Sequence, residues 1–130
     1  LTCDWSSDVC SSDLILEDGL VDNSARVGHV LLDGFRAMAA QHPSMANVRG
    51  RGLLIGFDLV ERTADGRVAK LMAKDRCIAL FKDLLAHGLI AMCYSPRVRI
   101  HPPLILSVEQ ARTGLATIDA ALTRLESGRA

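Results

Sequence analysis

The stretch RVRIHPPLIL, residues 97–106, sets Arg97 and Arg99 two positions apart and ends the pattern at Pro102-Pro103. In an extended chain, residues two apart share a face. Both guanidiniums then project from one side, and Val98 and Ile100 from the other. Burying such a pair without anions is costly. The pair either faces water and nearby carboxylates, or it forms a fork for an acid. A planar guanidinium makes two parallel charge-assisted hydrogen bonds to a carboxylate and so fixes a small acid in both position and rotation.

Other residue types with chemical potential are dispersed. His29, His42, His87 and His101 do not cluster in sequence, and only His101 lies beside the arginine pair. Cys3, Cys10, Cys77 and Cys93 form no CxxC or CxxH pair, so neither a metal site nor a redox motif is read from them. Cys77 and Cys93 fall in apolar segments, where free cysteine behaves as a small hydrophobe. The chain contains no GxSxG elbow, P-loop or HExxH, and its RGRG precedes a strand instead of linking strand to helix. The residues themselves thus assign no catalytic, cofactor-binding or metal-ligating group.

Fifteen basic and fifteen acidic residues balance to a net charge of zero, which argues against nucleic acid or an anionic membrane as partner. The apolar runs LLIGF and GLIAMCY are too short to span a bilayer. With no leader of the secretory pattern, the expected location is cytoplasmic. At 130 residues and 49% hydrophobic, the chain suits one small domain. Residues 1–14, LTCDWSSDVCSSDL, are Ser/Asp-rich and nearly repeat a five-residue unit. They resemble translated sequencing adapter and are expected to be a disordered, artefactual segment, with the domain beginning at Ile15.

From Ile15 onward the apolar periodicity is regular. Val27, Val30, Leu31, Phe35 and Met38 mark an amphipathic helix with Asp22 or Asn23 as N-cap, ended by Pro43. NVRGRG reads as a turn, and Leu53 to Val60 as a strand buried on both faces. After the turn at Asp65-Gly66, a second helix is expected from about Val68 to Ala86, with Leu71, Ile78, Phe81, Leu84 and Leu85 inward and a stop at His87-Gly88. LIAMCY reads as a strand and Arg97 to Ile100 as a shorter one. Ser107 to Gln110 is a capping-box pattern opening a last helix with a Val108, Ala111, Leu115, Ile118, Leu122, Leu125 seam. This order points to an α+β domain with helices on a mostly antiparallel sheet.

Taken as a series, LVDNSARVG, VRGRGLLIGFDLV, GLI and RVRIHPPLILS followed by an amphipathic helix resembles the C-terminal part of class III aminotransferases. These are pyridoxal-phosphate enzymes of fold type I. The resemblance implies a small C-terminal domain, residues 15–130, whose large cofactor-binding domain lies outside this chain. It implies a parent enzyme that transfers an amino group from an amine or amino acid to a 2-oxo acid through pyridoxal phosphate, as a homodimer. In the family, the arginine of Arg-x-x-Pro-Pro-Leu often binds a substrate carboxylate, and here that position is Arg99. Arg97 becomes a neighbour with a surface or interface role.

Such chemistry needs a lysine that condenses with the cofactor. The lysines are Lys70, Lys74 and Lys82, all expected in one amphipathic helix, mostly on its polar side, with no matching motif. The chain on its own is therefore expected to be inactive. The competing expectation is a free-standing, non-catalytic α+β domain that binds a small carboxylate or a partner protein.

Overall fold

A computed structural model describes residues 13–128, so the segment 1–14 lies almost wholly outside the described residues. Among the described residues, 13–17 are helical, and three longer helices and four strands then follow one another as α1 (Leu20–Gln41), β1 (Met45–Arg51), β2 (Leu54–Arg62), β3 (Val68–Leu71), α2 (Lys74–Ala86), β4 (Arg97–Ile100) and α3 (Val108–Glu126). The α+β class with a mostly antiparallel sheet is what the sequence led one to expect. Every strand pair is antiparallel, and β2 is the hub: it pairs with β1, β3 and β4.

Alternation along β2 decides which side is core. Ile55, Phe57 and Leu59 are almost fully buried and join Val98 of β4 in one cluster with Val27, Leu31 and Phe35 of α1, Cys77, Leu80 and Leu84 of α2, and Ile118, Leu122 and Leu125 of α3. The Phe35 and Phe57 rings meet at 5.3 Å between centroids. Burying one such side chain contributes about 2 kcal/mol. The opposite side of β2 carries Leu54, Gly56 and Asp58. Leu54 is 60% exposed, so the expectation of burial on both faces holds only for the second half of the strand.

Four local expectations are corrected. First, α1 begins at Leu20, not after Asp22 or Asn23, because Gly19 adopts a left-handed conformation at the N-cap. The Asn23 amide is spent elsewhere, donating to the carbonyls of Leu104 (2.6 Å) and Leu106 (3.1 Å). Second, the NVRGRG turn is the body of β1, distorted by a bulge between Ala46 and Arg49 at which Asn47 has φ 53°. The turn proper is at Gly52. There α1 approaches so closely that a Cβ on Gly28 would overlap the Gly52 carbonyl.

Third, residues 68–71 are a strand, and the second helix starts at Lys74. The Asp65-Gly66 turn returns the chain as a hairpin on β2, and Lys70 pairs with its cross-strand partner Glu61 at 3.2 Å. Leu71 and Leu85 are accordingly exposed, and Leu80 takes the inward place. Fourth, LIAMCY forms no strand. Its one ladder contact is the bridge from Met92 to Arg99, and the Cys93 amide turns back to the Ala91 carbonyl at 2.8 Å. The His87-Gly88 stop and the Ser107/Gln110 capping box are present as read.

The helix ends are tied by ionic contacts. Arg124 of α3 forks Asp83 of α2, with Nη2 at 2.6 Å. His42, just past α1, is buried between two carboxylates of α3: Nδ1 lies 2.9 Å from Glu126 and Nε2 2.9 Å from Asp119. Neutral imidazole has a single N–H, so donating to both carboxylates requires the imidazolium. Glu126 also accepts from the Ser44 amide and hydroxyl. Burial opposes the charge on His42, but hydrogen bonds and charge from Glu126 and Asp119 outweigh it and raise its pKa above the ordinary 6.5. Burial likewise opposes the charge on Glu126, and the Ser44 and His42 hydrogen bonds outweigh it, so its pKa falls below the ordinary 4.5.

The raised His42 pKa gives stability that is complete below pH 6.5 and is lost as pH climbs through the folded value. The lowered Glu126 pKa gives stability that is complete above pH 4.5 and is lost as pH falls through its folded value. Urea unfolding of the chain and of His42→Gln should therefore differ most between pH 4.5 and 6.5, by about 2 kcal/mol. The gap should narrow on either side. A gap that stays constant well below pH 4.5 and well above pH 6.5 would show that His42 is not held as a cation.

Candidate functional site

The arginine pair sits where alternation puts it. In β4, Val98 is buried and Ile100 half-buried toward the helices, while Arg97 and Arg99 are exposed on the opposite face. Pairing with β2 sets each opposite a defined residue: Arg99 faces Gly56 and Arg97 faces Asp58. On the other flank of β2, Arg49 also faces Gly56, and Arg51 faces Leu54. The open face is thus built from three strands and carries Arg49, Arg51, Arg97 and Arg99, with His101 at the exit of β4.

One carboxylate answers this charge. Asp58, with its side chain 11% exposed, accepts from Arg49 Nη2 at 3.1 Å and from Asn47 Nδ2 at 2.9 Å. Arg49 Nη1 donates to the Asn47 carbonyl at 2.7 Å. Among the described residues, the side chains of Arg51, Arg97, Arg99 and His101 make no hydrogen bond or ion pair. Arg99 borders two open clefts: one of about 430 Å³ reaching Arg49, Arg51, Gly56 and Leu54, and one of about 400 Å³ reaching Met92, Tyr94, Ser95 and Arg97. His101 borders both. Such a face can receive an anion, with the exposed side chains of Met92 and Tyr94 as an apolar wall.

The remaining sequence candidates fall away from this face. His29 and His87 are exposed on or beside helices, and His42 is held in the ionic contact described above. Cys77 and Cys93 are buried and free, and burial pushes the Cys93 thiol up to about 11, which keeps it protonated and poorly nucleophilic. Lys70 is paired with Glu61, and Lys74 and Lys82 lie on the exposed side of α2. No lysine reaches the arginine face, and no glycine-rich turn links a strand to a helix N-terminus there. The sequence reading missed Arg49, Gly56 and Asp58. The signal was available in the alternation of Arg49 with Arg51, which repeats that of Arg97 with Arg99, but it carries meaning only once residues 45–51 are recognised as a strand.

Helices cover one side of an antiparallel sheet, and four arginines line the other. The family model for class III aminotransferases matches residues 9–122, and the chain belongs to that family. It is 34% identical over 119 residues to a taurine–pyruvate aminotransferase of Rhodobacter capsulatus, covering 86% of this chain and 25% of the relative. It is also 31% identical over 127 residues to an isoleucine 2-epimerase of Lentilactobacillus buchneri, covering 92% and 27%. Among solved structures, a Bacillus anthracis aminotransferase superposes with a TM-score of 0.75 at 25% identity over 86% of this chain and 26% of that one. An amine transaminase from an uncultivated Pseudomonas species, solved with pyridoxal phosphate bound, shares the fold with a TM-score of 0.77 at 24% identity, over 87% and 25%. The chain spans about a quarter of the length of the curated relatives it matches.

Proposed function

We propose that this chain is the small C-terminal domain, residues 15–130, of a pyridoxal-phosphate-dependent enzyme that moves an amino group from an amine or amino acid to a 2-oxo acid. Within it, Arg99 binds the substrate carboxylate. The observation that carries the assignment is the unpartnered Arg99 guanidinium, on a strand fixed to β2, between two clefts of a face where cations outnumber carboxylates. When a larger domain closes over such a face, the cations lose water and need anions. A substrate carboxylate supplies one. Arg99 would hold its two oxygens through a bidentate fork, which fixes the rotation of the acid as well as its place. Both named relatives act on small acids, taurine with pyruvate in one and isoleucine in the other.

In this reading pyridoxal phosphate supplies the amino-transfer chemistry and is held by parts of the enzyme outside this chain. The proposal includes a homodimeric, cytoplasmic parent, with Arg97 at the surface or an interface and residues 1–14 as an appended artefact. The free-standing binding module is the weaker reading, since the family match runs through nearly the whole domain.

In the full-length enzyme, Arg99→Lys keeps the charge and loses the fork. Loss of a charged hydrogen bond costs about 1.5–3 kcal/mol, so KM for carboxylate substrates should rise roughly ten- to hundredfold. The half-reaction with an amine lacking an acidic group should change far less. Equal kinetics with every carboxylate substrate would remove the assignment. The 130-residue chain alone, given pyridoxal phosphate, an amino donor and a 2-oxo acid, should form no product, and measurable turnover would contradict the placement of the cofactor site elsewhere.

A further inference from the structure

Arg49 and Arg99 lie in the same cross-strand row, one on each side of Gly56. Strands are about 4.8 Å apart, so the two backbones stand roughly 9–10 Å from each other across β2. Gly56 leaves the middle of that row without a side chain. A Cβ built there would lie 3.2 Å from the Val98 carbonyl and 4.0 Å from Arg49 Cζ, so the Arg49 guanidinium already leans over the row. It is not loose. Asp58 and the Asn47 carbonyl engage its two terminal nitrogens. A guanidinium has five N–H donors, so others stay available on the side away from Asp58. Arg49, Gly56 and Arg99 line one cleft.

We propose that Arg49 is a second anion-contacting residue of the Arg99 site, and that Gly56 is the floor on which the acidic group of the ligand rests. The inference depends on the Arg99 reading and deepens it. The ligand class is a compact oxyanion, carboxylate or sulfonate, on a small amino or oxo acid. Its oxygens are met from both flanks of β2: by Arg99, which is free to adjust, and by Arg49, which Asp58 holds in place. Asp58 is then a positioning residue that acts through Arg49. Its own charge offsets one of the three guanidiniums of the cleft, that of Arg49, and leaves those of Arg51 and Arg99 for an anion. A side chain at position 56 would occupy the place of the oxyanion and press at 3.2 Å on the Val98 carbonyl, the peptide unit that leads into Arg99.

The experiment is single-turnover kinetics on the full-length holoenzyme, comparing half-reactions with a small acid and with an amine of similar size that has no acidic group. Arg49→Gln and Gly56→Ala should each lower the acid-to-amine ratio of kcat/KM by roughly tenfold, with the loss in KM. Gly56→Ala keeps the Arg49–Asp58 pair, so it carries the test should Arg49→Gln fold poorly. A merely structural role would depress acid and amine together, and that result, or an unchanged ratio in both variants, overturns the inference. If the ratio is unchanged in these variants while Arg99→Lys still penalises acids, the inference fails and the Arg99 assignment stands. If Arg99→Lys also spares acids, the assignment itself has failed. Parallel runs with a carboxylate and a sulfonate of equal chain length place both oxyanions on the floor if both ratios fall, or assign the one whose ratio falls.

Discussion

Pairing along β2 is the constraint on which the other features depend. The strand bonds to β1 and β4 along its first half and to β3 at its end, so its register sets which residues of three other strands share a face. Side chains alternate with period two, and a slip of one residue would turn Ile55, Phe57 and Leu59 outward and bring Asp58 into the core. That penalty, several buried apolar side chains at once, locks the register. The same lock points Arg49, Arg51, Arg97 and Arg99 away from the helices. The chemistry of the open face is thus a consequence of the packing of the closed one.

The helices are held to the sheet by apolar contact and to one another by a few charges at their ends. His42, shared between Glu126 and Asp119, fixes the exit of α1 to the last turns of α3, and Arg124 with Asp83 fixes α3 to α2. These groups satisfy one another. The cations of the open face do not, apart from Arg49. The contrast separates charge that serves the domain from charge that has no partner among the described residues. Only the second kind is open to the ligand proposed for this face.

The sequence was most legible where local chemistry is sufficient. Ser107 with Gln110, the His87-Gly88 stop and the Arg97/Arg99 alternation each depend on neighbours a few residues away, and each was readable. The errors came where distant pairing overrides local pattern. Val68 to Leu71 continued the apolar spacing of the following helix, yet β2 offers it a ladder and Glu61 a charge for Lys70. LIAMCY has strand composition, but the Cys93-to-Ala91 turn ends its extension. NVRGRG, residues 47–52, reads as a turn because of its glycines, which hid Arg49 as a neighbour of Arg99 on the open face. None of these partners is visible from spacing alone.

The account comes down to what Arg99 holds when the domain is part of a complete enzyme. The direct measurement is a crystal structure of the full-length protein with a 2-oxo acid bound. The account predicts the acid's carboxylate forked by Arg99 on the open face of the sheet, above Gly56. A carboxylate bound elsewhere, with Arg99 turned into an ion pair with a residue of the larger domain, would contradict it.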